Sequence, residues 1–220
     1  MNRVLLIMTA LVILFIGGQP STVSAQSDGR LSVVGAVEYA RITEDDAYLG
    51  AGFGAMGGLR YHLTEATSVG VEVSREHHVR DFGLFAVAHD AGGRPEAIPY
   101  TRRWKGDATF VLGVVSHAFG SARARPVVWV GAGMMAHGGT SRGPLALPQA
   151  PSGFTLQAQD IETSQGHSVT AVAADGGFGA DVRLPGRITA GPFVGVRLVN
   201  TANFGPKYII RGGAWIAFRP

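Results

Sequence analysis

The chain has 220 residues, 46% of them hydrophobic and only 16% charged, which is one domain's worth of sequence. A formal net charge of +3, scattered along the chain, argues against a nucleic-acid surface, and the absence of cysteine excludes disulfides as a support. The 32 glycines are about twice the usual ~7% and are spread through alternating runs, as closely approaching strands require.

Met1–Ala25 reads as a cleavable signal peptide. Arg3 supplies the positive start, Val4–Ile16 the apolar core, and Val23-Ser24-Ala25 a small-x-small cleavage site. No cysteine follows to carry a lipid anchor, and the apolar run is too short for a ~20-residue membrane helix. Residues 26–220 are then the mature domain, in which no run reaches the ~18 apolar residues of a spanning helix.

The first strand is expected over Leu31–Ile42, with Val33, Gly35, Val37 and Tyr39 on one face and Ser32, Ala36, Glu38 and Ala40 on the other. Thr43–Asp46 is a polar link into Tyr48–Leu63, the stretch with the clearest period of two. There Leu49, Ala51, Phe53, Ala55, Leu59 and Tyr61 alternate with Gly50, Gly52, Gly54, Met56, Gly58, Arg60 and His62. In a membrane barrel the greasy set meets lipid and the small, charged set faces the lumen. A tight turn over Glu65-Ala66-Thr67 leads into Ser68–Arg80, with Val69, Val71 and Val73 outward and Gly70, Glu72 and Ser74 inward.

A long connection is expected over Asp81–Arg103, which contains Gly92-Gly93 and Pro95. Trp104–Phe119 follows, with Ala108, Phe110, Leu112 and Val114 as its apolar, outer face. Val127–His137 is placed with Trp129 outward, although both of its faces are apolar. A second long connection spans Gly138–Gly166. Ser168–Leu184, Ile188–Val199 and Lys207–Phe218 complete the set, joined by the tight turn Pro185-Gly186-Arg187 and a moderate link over Asn200–Pro206. Pro192 lacks a ladder donor and is expected at a bulge.

Long connections therefore alternate with tight turns, as in an all-β, antiparallel up-and-down transmembrane barrel of about eight strands. A soluble lipocalin-like binding barrel is the rival, and it requires its large apolar side chains inside. Centred on Ala66, the first tight turn sets Arg60 opposite Glu72; centred on Gly186, the later one sets Asp175 opposite Arg197. Both pairs fall on the less apolar face, where a narrow lumen would make them depend on one another. Tyr39, Trp104 and Tyr208 are expected in one aromatic belt and Tyr61 and Phe218 in the other.

With that pattern in place, the chain resembles the small bacterial outer-membrane barrels of the outer membrane protein A and X type. Its most specific piece is Arg211-x-Gly213-x-x-Ile216-x-Phe218, which looks like the sorting signal read by the barrel-assembly machinery, here followed by Arg219-Pro220. The resemblance implies an outer-membrane location and includes structural proteins, adhesins and some lipid-A enzymes, so function stays open.

Gly52-Phe-Gly54-Ala-Met-Gly57 matches GxGxxG, but the period of two runs through it where a dinucleotide fold would begin a helix. His77 and His78 are adjacent and point to opposite faces of a strand; no histidine pattern predicts a metal, a cofactor or a catalytic residue. Basic residues gather at the long-loop rim, and Arg102, Arg103 and Lys105 are the expected contacts for lipopolysaccharide phosphates, the equal alternative being that the rim's basic residues pair within the chain with Glu44, Asp45, Asp46 and Glu76. A non-enzymatic outer-membrane barrel acting in membrane integrity or surface interaction is the leading expectation. A lipid-A or phospholipid-modifying enzyme is the alternative.

Overall fold

The computed structural model describes residues 30–43, 50–144, 149–156, 165–201 and 205–220. The expected signal peptide, Met1–Ala25, and Glu44–Asp46 lie outside them. The described chain forms nine strands: β1 (Leu31–Ile42), β2 (Ala51–His62), β3 (Thr67–Asp90), β4 (Pro95–Ala118), β5 (Ala124–Pro144), β6 (Phe154–Leu156), β7 (Gln165–Leu184), β8 (Ile188–Thr201) and β9 (Gly205–Phe218). All but the three-residue β6 run in the order β2-β1-β9-β8-β7-β5-β4-β3, and the β2–β3 pairing closes them into an antiparallel barrel.

The barrel is inside-out. Phe53 is 73% exposed and Val172 and Phe178 are each 65% exposed, while Glu38, Glu76, Asp175, Arg197 and Arg211 are buried. A soluble barrel would invert that distribution; an outward apolar band is what lipid requires. Tyr61 and Phe218 mark one edge of the band, and Tyr39, Phe53 and Tyr208 stand toward the other. Tyr39 and Phe53 pack edge-to-face with centroids 5.1 Å apart. Eight residues of β2 separate Phe53 from Tyr61, about 20 Å of height at a typical strand tilt.

Four expectations from the sequence are corrected. The connection over Asp81–Arg103 is a β-hairpin: β3 and β4 each run 24 residues, twice β1 or β2, so they pair continuously to the turn at Ala91–Arg94. Each strand is about 80 Å long. The last β2 partner on β3 is Val79; beyond it the hairpin continues, flanked by β5 on the β4 side as far as Arg102 and by β6 on the β3 edge at Ala88–Asp90. Alternating Ala86, Ala88, Ile98 and Tyr100 on its buried face sustain this pairing despite the glycines and prolines.

Second, the faces of β4 and β5 are reversed. Trp104 is 1% exposed, and Ala108, Phe110, Leu112, Val114 and Trp129 all point inward. Lys105, Asp107 and Thr109 point outward, and Asp107 there joins Arg75 (2.8 Å) and His77 (2.8 Å) beyond the greasy part of the wall. Trp104 and Trp129 are thus not belt residues. Third, Pro192 causes no bulge. Its ladder to β7 lapses between Gly179↔Phe193 and Val182↔Ala190, then resumes in the same register. Fourth, the β2–β3 turn is centred one residue earlier than expected, so Arg60 faces Gly70 and reaches Glu72 diagonally.

All three tryptophans of the chain face the interior, Trp215 packing partly buried against the core. Dibrominated phospholipid should therefore leave the native tryptophan emission nearly unchanged, while a Phe53→Trp variant should be strongly quenched. Strong quenching of the native protein would place Trp104 or Trp129 against lipid and restore the original register.

Candidate functional site

The centre of the lumen is an ionic cluster assembled from five strands. Glu38 comes from β1, Glu76 and His78 from β3, Asp175 from β7, Arg197 from β8 and Arg211 from β9's inward row. Arg211 donates to Glu38 (2.6 Å) and through two nitrogens to Asp175. Arg197 donates to Glu76, and lies 3.9 Å from Glu38 and 4.0 Å from Asp175. Asp175 and Arg197 are paired in the ladder, yet the closest acid to Arg197 is on β3, four places away around the barrel in either direction. That ion pair spans the diameter.

His78 faces an acceptor at each ring nitrogen, the Gly50 carbonyl (3.0 Å) and the Glu76 carboxylate (2.8 Å). The ring thus links the backbone just before β2 to the Glu76 carboxylate and ties the wall to the cluster. The reversed faces of β4 and β5 have their cause here. The Phe110 ring lies 3.9 Å from the Arg197 guanidinium carbon, and Phe193 and Trp129 lie 5.2 and 5.6 Å from that of Arg211. Trp129 also donates from Nε1 to Asp175 (3.2 Å). Aromatic faces stabilise desolvated cations that would otherwise be costly.

Glycine makes room for the cluster. A Cβ on Gly54 would stand 2.8 Å from Glu76 Cγ, and one on Gly58 2.9 Å from Glu72 Cγ. Two members of the GxGxxG match, Gly52 and Gly54, are thus packing positions beside His78 and Glu76, and Gly57 faces open space.

Toward the tight-turn end, Arg60 donates to Glu72 from Nε (3.0 Å) and a terminal nitrogen (2.5 Å), with Trp215 6.0 Å away. Beyond this pair opens a vestibule of about 320 Å³. Arg125 and Asp181 pair across its wall (3.0 and 2.5 Å). His62, past the aromatic belt at the rim, contacts Ser32 Oγ (3.0 Å) and accepts from Arg219 (3.1 Å). Burial, then Arg219, Arg60 and Arg125, push its pKa down to about 4. A serine–histidine pair invites an enzymatic reading, but a triad needs an acid behind its histidine. Here a guanidinium stands in that place and opposes the imidazolium that catalysis would form.

The remaining sequence-derived residues are dispersed. Arg102 points inward and is 1% exposed, so it does not present itself to lipid head groups. Arg103 is outward, in a two-nitrogen pair with Asp81 (2.6 Å each) that holds the Asp81 carboxyl below its usual range. Lys105 is exposed on the same face. Of the terminal motif, Ile216 and Phe218 face outward, Arg211 is the central cation, and Gly213 lies against Val37 and Glu38 of β1. Among the described residues no three His, Asp or Glu side chains converge as metal ligands. Sequence reasoning missed Glu38, Glu76, His78 and Arg211 as lumen partners. Their inward parity was readable, but their partners lie on non-adjacent strands.

Two outcomes follow. Arg211→Met or Arg197→Met takes one guanidinium from a buried group of three carboxylates and should cost about 3–5 kcal/mol of stability in urea unfolding of the folded barrel. In proton NMR, His62 should titrate near pH 4. Because its folded pKa lies below the unfolded value of about 6.5, its contribution is complete above pH 6.5 and is lost as pH falls towards 4. A His62→Gln variant should lose that part of the pH dependence.

No protein-family profile and no curated protein sequence matches the chain. Solved structures do. Neisserial surface protein A aligns at 8% identity over 89% of this chain and 100% of that one, with a TM-score of 0.51. The N-terminal β-barrel domain of Pseudomonas aeruginosa OprF aligns at 15% identity over 86% and 98%, at 0.43. Ail, the attachment invasion locus protein of Yersinia pestis, aligns at 14% identity over 87% and 99%, at 0.45. Closed by β2–β3, greasy outside and ionic within, the chain has the fold of the small eight-stranded outer-membrane barrels.

Proposed function

We propose that the protein is a non-enzymatic outer-membrane barrel whose work in membrane integrity or surface interaction is done by its long hairpins outside the cell. The observation that carries this reading is the β3–β4 hairpin, which continues as paired strand well past the last β2 partner. An eight-stranded interior is just wide enough for side chains to fill, and here charged side chains fill it, which supports a sealed rather than a conducting barrel. Liposomes carrying the protein should not swell in small sugars. The Arg219 behind the Ser32–His62 pair weighs against hydrolytic chemistry at the vestibule.

The tight turns face the periplasm in this orientation, and the final strand carries Arg211, Gly213, Ile216 and Phe218 as the signal for the barrel-assembly machinery. Arg75, Arg103 and Lys105, outward at the upper edge of the greasy band, are the side chains suited to lipopolysaccharide phosphates. Arg102 is withdrawn from that set because it is buried.

The absence of native cysteine makes the orientation directly testable. Gly92→Cys at the hairpin tip should react with a membrane-impermeant maleimide on intact cells, and Ser121→Cys in a tight turn should react only after the envelope is opened. The reverse pattern would overturn the orientation. Labelling of both in intact cells, with protein in the soluble fraction, would overturn the membrane assignment itself.

A further inference from the structure

The vestibule at the tight-turn end is not required by a structural or surface-interaction role, yet its charges are arranged in a way that packing alone does not demand. Five arginines line it: Arg60, Arg125, Arg183, Arg187 and Arg219. Arg60 is matched by Glu72 and Arg125 by Asp181. Arg183, Arg187 and Arg219 have no carboxylate at ion-pair distance among the described residues, and Glu65 is the one remaining acid in the lining. We propose that this vestibule binds the phosphate group of a small ligand, held by Arg187 and Arg219 at the mouth with Arg183 beside them.

Three further observations favour an anionic occupant. Arg219 is partly withdrawn from water, and its side-chain hydrogen-bond partner among the described residues is a neutral imidazole that accepts but brings no negative charge. Its own pKa is lowered by burial first and then by Arg125 and Arg183, with Glu65 and Asp181 opposing them; that of His62 is lowered by burial and then by Arg219, Arg60 and Arg125, with Asp181 opposing. Arg187 holds a left-handed backbone at φ 65°, next to Gly186 at φ 77°. A side chain rarely adopts that conformation, and here it puts a guanidinium at the rim of the cavity.

Size and chemistry narrow the class. The volume sits at the lower end of small-ligand pockets, ~300–1,000 Å³. Guanidinium forks match phosphate oxygens in pairs, and the hydroxyl of Thr189 in the same lining supplies a further donor. The cavity does not lead onward as a channel: the Arg60–Glu72 pair and Trp215 stand between it and the central cluster. It lies at the tight-turn end, on the periplasmic side in the orientation proposed above, and its chemistry does not depend on that orientation. The phosphate could belong to a soluble ester or to a phospholipid head group of the adjoining leaflet.

The test uses the full chain folded in zwitterionic detergent, with inorganic phosphate as the probe and the His62 resonance as the reporter. Phosphate should raise the His62 titration midpoint from about 4, because a bound anion opposes the arginines around it. The double variant R187N/R219Q, in which asparagine keeps the left-handed turn, should weaken binding by about tenfold or more. Both sites lie outside the central ionic cluster, so the folded barrel should be retained, which heat-dependent gel migration checks. A midpoint raised by inorganic phosphate identifies a soluble source. One raised only in nanodiscs containing phosphatidylglycerol identifies the head group. No shift in either, an equal shift in the double variant, or a shift only with polyglutamate would overturn the proposal.

Discussion

The fold depends on an ionic cluster enclosed by a cylinder too narrow to hydrate it. Glu76 on β3 and Arg197 on β8 meet across the full diameter, and Arg211 ties Glu38 on β1 to Asp175 on β7. Such pairs are weak evidence for stability in themselves, since desolvation offsets most of the Coulomb attraction. Their consequence lies in register. A one-residue slip of any contributing strand would turn its charge into the greasy band and bring its lipid-facing side chain into the lumen. The cluster therefore selects one arrangement of strands among many with similar backbone hydrogen bonding.

The same cluster accounts for features that look like exceptions. Gly54 and Gly58 lie inward where a side chain would collide with Glu76 and Glu72. Phe110, Trp129 and Phe193 lie inward, against the general rule of the wall, because the guanidiniums need apolar faces as well as carboxylates. Pro192 is accommodated outward, at a point where the β7 ladder lapses without losing step. Charge at the centre, small residues beside acids and rings beside cations form one interdependent solution to filling the tube.

That interdependence decides what could be read from the chain alone. β1, β2 and β3 were legible because each sets large apolar residues against glycine or charge, so parity alone fixes the face. β4 and β5 were not, since Phe110 and Trp129 are as greasy as any lipid-facing residue and the cations they serve are on β8 and β9. The hairpin over Asp81–Arg103 was hidden for another reason. Gly92-Gly93 and Pro95 signal a turn correctly, but they mark only its tip, while the alternation of Ala86, Ala88, Ile98 and Tyr100 on either side is too weak to stand out. Arg102 illustrates the hazard of inferring contact from position near a rim: parity, not height, determines that it faces inward. The ionic partners were legible only where a tight turn joins neighbouring strands, as for Arg60 with Glu72, and even there a turn shifted by one residue made the contact diagonal.

The tight-turn end of the tube has a charge pattern of its own. The Arg60–Glu72 pair stands between the central cluster and the vestibule, where Arg183, Arg187 and Arg219 act as a local source of positive potential. Low-dielectric walls around a cavity focus such a potential rather than dissipating it. At the opposite end, Asp81 and Asp107 engage Arg103 and Arg75, while Lys105 stands exposed on the same outward face. The vestibule arginines sit where the chain makes its shortest connections, which is where a rigid frame can hold them without the cost of ordering a loop.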